Sequence, residues 1–498
     1  MTDLRSLVAG VLAPGFNGTS VPGWLRTAID DGLGSVVLFG HNMLGSEGVT
    51  GLSQVAALTT DLRAGRAAAD PLLIAADEEG GDVTRIEVGA GSSLPGAAAI
   101  GAIADLAVTR ALATAHGRLL RALGIDSGLA PVADVNSNPA NPVIGVRSFG
   151  ADAAAVAEHV VGYVEGLQSA GVLACVKHFP GHGDAGVDSH HELPSLTGTI
   201  ADLQQRELVP FLAAIRAEVA AVMPGHLVVP AVDEQAASIS PRWTEILRRD
   251  LGFTGLTITD ALDMNAVAAR YGVPGAAVQA LLAGADLLCL GNTAEIDDEQ
   301  MYLDCRDAIL AALADGRLQP ESLARSVERR RTVLRRLAAI GPVVEIADAA
   351  TALQMVGRRA AERAISVDPA IAELPSTVAV APALIDLRSG GTMAAGPVSR
   401  RLPAALRTSW PQLVDVTVAE LAEVAGDRPV LVLLRSAAPG TPERAQLDGV
   451  LALRPDAVLV HTGWPAAAAG LENRRIVFSY GNAAVNIAVL CERLTGGR

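Results

Sequence analysis

Lysine is almost absent from this chain. Of its 39 basic residues only Lys177 is a lysine, and the rest are arginine. A GC-rich coding sequence gives that bias and says nothing of function. Yet a compact ammonium differs from a planar guanidinium in reach and shape. Lys177 is therefore either a chance survivor or a residue whose chemistry arginine cannot supply. Positive charge is scarce overall: against 54 acidic residues the formal net charge is −15. A nucleic-acid binder normally carries a basic face, so no nucleic-acid partner is expected. No run of 18 apolar residues occurs, so neither a membrane-spanning helix nor a membrane partner is expected. The N-terminal stretch lacks a basic n-region and meets Pro14 and Gly15 early, which reads as the start of a domain and not a signal peptide. Cysteine is rare too. Cys175, Cys289, Cys305 and Cys491 lie far apart and form no CxxC pair, the pattern of reduced, buried thiols in a cytoplasmic protein.

What is abundant is apolar: 50% of the 498 residues are hydrophobic and 19% charged, which suits large cores and excludes general disorder. Short apolar runs recur at 8–16, 35–40, 72–81, 128–135, 173–181, 221–229, 255–262 and 285–291. Most lack alternation, as parallel strands buried on both faces do. Segments of helical character separate them, such as 104–124, 151–171 and 241–252. Eight strand–helix units over this length predict a (β/α)8 TIM-type barrel. The arginine-rich end of 300–338 reads as a solvated helix face. The boundaries expected are a barrel over 1–340, a linker with one helix over 341–376, and a smaller α/β sandwich over 377–498. Five further apolar runs, 377–385, 413–418, 429–436, 456–463 and 475–481, carry that last domain.

Catalytic groups of a barrel sit where its strands end. Here the third run ends in Asp77-Glu78-Glu79, with Arg85 following. Asp134 lies at the end of the fourth run with Arg147 further on, and Lys177 and His178 lie in the later part of the fifth, His226 of the sixth and Asp260 of the seventh. A carboxylate buried without a partner costs several kcal/mol, and five polar strand ends in concert indicate a polar site. The loop KHFPGHGDAGVDSHHELP (177–194) holds four of the nine histidines, and its Pro and Gly residues argue against a helix. Two chemistries fit it. Clustered His and Asp could bind a metal such as zinc; alternatively, Asp188 and His190 could form a dyad in which the carboxylate orients a proton-shuttling imidazole.

That loop resembles the signature of family 3 glycoside hydrolases, in their β-N-acetylhexosaminidase branch. DEEGGDVTR (77–85), LAPVADV (129–135), IGVRSFG (144–150), VMPGH (222–226) and LGFTGLTITDALDM (251–264) resemble other motifs of that family, in order along the whole barrel. The resemblance implies retaining hydrolysis of terminal β-linked N-acetylglucosamine (GlcNAc). By position it implies Asp260 as nucleophile, His190 as general acid/base and Asp188 as its dyad partner. Sugar-binding roles fall to Asp77, Arg85, Arg147, Lys177, His178 and His226. No metal or other cofactor is expected. The expected partner is a small carbohydrate, a GlcNAc-containing oligosaccharide or a muropeptide fragment. Two positions depart from the family: Ala261 replaces a frequent second Asp, and Asp82 stands where Arg is common. Alternatives are a phosphorylase on the same scaffold, a metal-dependent barrel hydrolase and an idle carbohydrate-binding barrel. His461, after a strand of the second domain, is expected at the surface.

Overall fold

The structure, a computed structural model, describes residues 4–43, 48–67, 70–189, 192–291, 294, 296–366, 381–391, 394–424 and 426–496. Its first part is a ring of short parallel strands: β1 (Leu12–Ala13), β2 (Ser35–Leu38), β3 (Leu73–Ala76), β4 (Cys175–Phe179), β5 (Ala221–Pro224), β6 (Leu256–Thr257) and β7 (Leu288–Cys289). β2 pairs with β3, β4 with β5, β5 with β6, and β7 with β1. The fourth expected strand, 128–135, forms no regular strand. One cis bond, Ala130–Pro131, lies within it, and its ladder is reduced to bridges: Ser127 to Ala75 and Leu173, and Val132 to Lys177. A bridge from Ile258 to Leu287 and the bond from Val37 N to Pro14 O close the ring. The barrel predicted from the sequence is thus present, with one irregular stave.

Side-chain direction in the ring follows the two-residue period of extended chain. Leu73, Ala75, Cys175, Leu256 and Ile258 share one buried cluster inside the barrel, whereas Ile74, Ala76 and Val176 join the larger cluster under the helices. Leu334 and Leu337 of helix Pro320–Ala338 enter the inner cluster and plug one end. Continuing the inward series by two residues reaches Asp77, Lys177 and Asp260 at the opposite end. That step is why three polar residues converge on one mouth.

The helices start where the sequence provides caps. Asp105 accepts from the amides of Ala107 and Val108 at the head of Leu106–Ala122, and Asp152 accepts from Ala155 N at the head of Ala153–Ser169. Ser240 caps Pro241–Glu245, with Pro241 in the first turn. The arginine-rich helix is not wholly a solvated face. Arg330 is buried, donating to Gly34 O and pairing with Asp70.

The second domain is a five-stranded parallel sheet in the order β12 (Ile476–Phe478), β11 (Val458–His461), β10 (Val430–Leu434), β8 (Ala383–Asp386), β9 (Val414–Asp415). Leu431 and Leu433 face one core while Val430, Val432 and Leu434 face the other, as in a sheet covered on both sides. Helix Ile346–Ala364 joins the two parts: Leu353 and Ala360 pack into the barrel's core, Ala361 into that of the second domain. His461 is fully buried, which corrects the expected surface position. Burial there lowers its imidazole pKa to about 4. Among the described residues no helix is long and apolar enough to cross a membrane. All four cysteines are buried and free.

Candidate active site

Asp77, Arg85, Arg147, Lys177, His178 and Asp260 line one cavity of about 1250 Å³ at the open end of the barrel. Two oppositely charged pairs are wired together beneath it. Lys177 Nζ lies 2.7 Å from Asp77 Oδ1 and 2.7 Å from Glu79 Oε1. Arg147 grips the same Glu79 with both ends of its fork, at 2.9 and 2.8 Å. Burial alone would raise the Glu79 carboxyl, but Arg147 and Lys177 outweigh it and hold the group well below the usual carboxylate range. Asp77 is also held low, burial being outweighed by Lys177 and Arg85. The cluster is charge-balanced, two carboxylates against two cations, and each ion pair holds a donor in place. The sole lysine is its hub.

A second network runs through Asp134, which is fully buried. Its Oδ2 accepts from His178 Nδ1 at 2.7 Å, and its Oδ1 accepts from the backbone amides of His178 (3.1 Å) and His182 (2.7 Å). With Nδ1 carrying the proton, His178 Nε2 faces Arg147 Nη2 at 3.4 Å as an acceptor. Asp134 thus orients one imidazole and anchors the root of the histidine-rich loop. Gly183 follows at once, and a Cβ there would meet Val135 O at 1.8 Å; only glycine permits that approach. His182 Nε2 lies 3.2 Å from Ser189 Oγ, bracing the far side of the loop. Burial, reinforced by His178, lowers the His182 pKa to about 4, so the ring is neutral near pH 7. Among the described residues no group of three His, Cys, Asp or Glu is arranged to hold a metal.

Asp260 follows β6, and its Oδ1 accepts from the amide of Ala261 at 2.8 Å. His226 is not at the mouth, where the sequence reading put it. It is fully buried behind Asp260: Nε2 donates to Ala261 O at 2.8 Å, and Ser238 Oγ donates to Nδ1 at 2.6 Å. Its place is to brace the turn that carries Asp260. Asp188 is half-buried on the loop beside Ser189, which lines the cavity. His190 lies outside the described residues.

Two residues without an assigned role in the sequence reading, Glu79 and Asp134, organise the site. Their signal was visible, since both are acids at the polar ends of apolar runs. A third, Glu78, is buried and accepts from the amides of Arg85 (2.7 Å) and Ile86 (3.0 Å), fixing the start of the Arg85 segment. Burial pushes its pKa up to about 7, against 4.5 for the free group. The unfolded chain therefore ionises first, and the folded state loses stability as pH rises from about 4.5 through 7. Glu78→Gln keeps the acceptor and removes the charge. At pH 5 urea midpoints of variant and parent should nearly coincide; at pH 8 the variant should be more stable by roughly 1–3 kcal/mol. A variant no more stable at pH 8 would disprove the buried-ionisation argument.

The second domain closes the outer side of the cavity. Arg388, Arg435, Thr462 and Asn482, from the ends of its strands, line it together with the segment 394–401. Asp82 is the joint: it accepts from both the backbone and the side chain of Asn482. Arg85 Nη2 donates to Ala394 O at 2.9 Å, and Arg401 donates to the carbonyls of Val88 and Gly89. Asp82, an oddity in the sequence, thus has an interdomain partner.

Comparison with known proteins agrees with this architecture. The model of the family described as "Glycosyl hydrolase family 3 N terminal domain" matches residues 26–333. Beta-hexosaminidase A of Pseudoalteromonas piscicida is 35% identical over 323 residues, 60% of this chain and about half (52%) of that protein's length. Beta-hexosaminidase of Bordetella avium (strain 197N) is 38% identical over 275 residues, 54% of this chain and 76% of that protein. Among solved structures, a glycoside hydrolase family 3 beta-N-acetylglucosaminidase from Paenibacillus sp. str. FPU-7 superposes with a TM-score of 0.85 at 34% identity. The match covers 100% of this chain and 97% of that one.

Proposed function

The chain belongs to glycosyl hydrolase family 3, and on that premise we propose that it is a retaining β-N-acetylhexosaminidase releasing terminal β-linked GlcNAc. The observation that carries the reading is the convergence of Asp77, Lys177 and Asp260 on one cavity, with Arg147 and His178 beside them. In the proposed reaction Asp260 attacks the anomeric carbon, and His190 protonates the departing oxygen. The resulting glycosyl ester on Asp260 is then opened by a water that His190 deprotonates. Asp188 stabilises the imidazolium. Asp77, Lys177, Arg147 and His178 bind sugar hydroxyls; because their ion pairs and hydrogen bonds are already made, little reorganisation is needed on binding. Substrates in this proposal are GlcNAc-containing oligosaccharides, muropeptide fragments among them. The buried free thiols support a reducing, cytoplasmic compartment.

The direct test compares 4-nitrophenyl β-N-acetylglucosaminide with the matching β-glucoside, and reads the first-formed anomer by NMR. A preference of at least ~10²-fold with β product first is expected, since a site built around one substituent rejects its absence strongly. Equal turnover of the two, or α product first, would overturn the reading. Lys177→Arg tests the hub. Nζ is held between Asp77 and Glu79, with Arg147 on the same Glu79, and a longer, planar guanidinium would displace these partners. Loss of kcat/KM on the aryl substrate by ~10²-fold is expected, with overpacking destabilising the fold by roughly 1–3 kcal/mol. Parental kinetics and parental Tm together would mean the lone lysine is a coding accident.

A further inference from the structure

The cavity is larger than one sugar requires, and its two sides differ in charge. Its acidic lining residues, Asp77, Glu79, Asp82, Asp260 and Asp263, all come from the barrel. The second domain contributes four arginines to the lining, Arg388, Arg400, Arg401 and Arg435, and no acid. This is unusual in a chain of net charge −15. Only Arg388 is neutralised locally, by a two-pronged pair with Asp386. Among the described residues no carboxylate forms a salt bridge with Arg400, Arg401 or Arg435. Arg435 Nη1 donates to Gly390 O at 2.8 Å, Arg401 donates to barrel carbonyls, and Arg400 is exposed. Asp82, itself bonded to Asn482, lies within electrostatic reach of both Arg435 and Arg388, and the carboxylate of Glu443, which accepts from the Arg435 amide, lies within reach of Arg435, but neither forms an ion pair with its guanidinium.

The topology of the sheet points the same way. From β8 the chain moves outward to β9, then returns past β8 to β10 and continues through β11 to β12 on the other side. The sheet's topological switch point therefore lies between β8 and β10. In open parallel sheets ligands bind in the crevice beyond the carboxyl ends of the strands at that point. Arg388 follows β8 by two residues, and Arg435 follows β10 directly. The crevice faces the barrel mouth, since both residues line the shared cavity.

We propose that this arginine-lined sheet edge is the leaving-group subsite, and that it selects β-GlcNAc substrates whose leaving group carries a carboxylate or similar oxyanion. The proposal rests on the glycosidase reading above. The barrel holds the GlcNAc ring, and guanidinium forks from the second domain hold the anion beyond the scissile bond.

The test uses the full chain and two disaccharides differing at one carbon, GlcNAc-β-1,4-glucuronic acid and GlcNAc-β-1,4-glucose. Both kcat/KM and calorimetric Kd are measured, with 4-nitrophenyl β-GlcNAc as the reference for the barrel. A preference for the acid of ~10-fold or more is expected at low salt, shrinking at high salt. In the double variant Arg400→Gln, Arg435→Gln the acid-to-neutral ratio should fall to near one. Arg400→Gln alone, at an exposed position that cannot unfold the domain, should reduce it partway. Equal handling of the two disaccharides by the parent, or a ratio unchanged in the double variant, would overturn the proposal. Inorganic phosphate provides the remaining arm. Were it to accelerate turnover of the neutral disaccharide, yield GlcNAc 1-phosphate and lose that effect in the double variant, the bound anion would be an acceptor and the leaving-group assignment wrong. Failure to turn over the aryl glycoside would sink the glycosidase reading instead, while the two Kd values would still decide the subsite.

Discussion

Asp260→Asn is expected to abolish turnover of every β-GlcNAc substrate, with kcat reduced by about 10⁴ or more. The proposed mechanism has no other group able to form the glycosyl ester, and single removals of nucleophiles elsewhere carry costs of that order. The fold should survive. Asn keeps an Oδ1 acceptor for the Ala261 amide, and His226 continues to hold Ala261 O from behind. A thermal melt and a GlcNAc binding measurement should therefore match the parent while kcat collapses. Near-parental kcat would remove Asp260 from the mechanism. Loss of binding along with kcat would make it a sugar-binding acid only.

His190→Ala should separate the two chemical steps. A dinitrophenyl leaving group departs with little protonation, so ester formation should suffer little. A sugar leaving group needs the proton, so disaccharide hydrolysis should slow by ~10²–10⁴, the usual worth of general acid–base catalysis. Opening of the ester also slows without the base, and a burst of dinitrophenol should precede the steady state. Azide, needing no base, should restore turnover and form the β-glycosyl azide. Equal losses for good and poor leaving groups, with no azide adduct, would sink the dyad assignment. The surrounding structure makes the variant interpretable: the loop is held at its root by Asp134 on the His182 amide and further along by the contact of His182 with Ser189. Neither of these contacts is made by the His190 side chain.

Barrel strands and the sandwich sheet were legible because each rests on local pattern: buried parallel strands read as apolar runs. Strand 128–135 was misread as regular because its apolar residues do not reveal how few ladder bonds it makes around Pro131. His226 was misplaced for a related reason. A histidine after a strand looks the same whether it faces the mouth or turns back to bond Ala261 O, and only packing distinguishes them. His461, expected at the surface, is likewise buried because the crossover helices cover its sheet on both faces.

By itself the sequence determined the barrel, the order of its polar strand ends and the family. The two-residue period of extended chain carries Asp77, Lys177 and Asp260 inward from Ala75, Cys175 and Ile258 whatever else the molecule does. Tertiary structure alone decided the partnerships: that Lys177 sits between Asp77 and Glu79, that Asp134 serves both His178 and the loop root, and that Asp82 meets Asn482 400 residues away. It also decided that four arginines of the second domain face the cavity. The physical reason is range. Periodicity and capping act over a few residues, where sequence order implies spatial order. Ion pairs and domain docking depend on where distant segments come to rest once the cores are packed, and no local pattern encodes that.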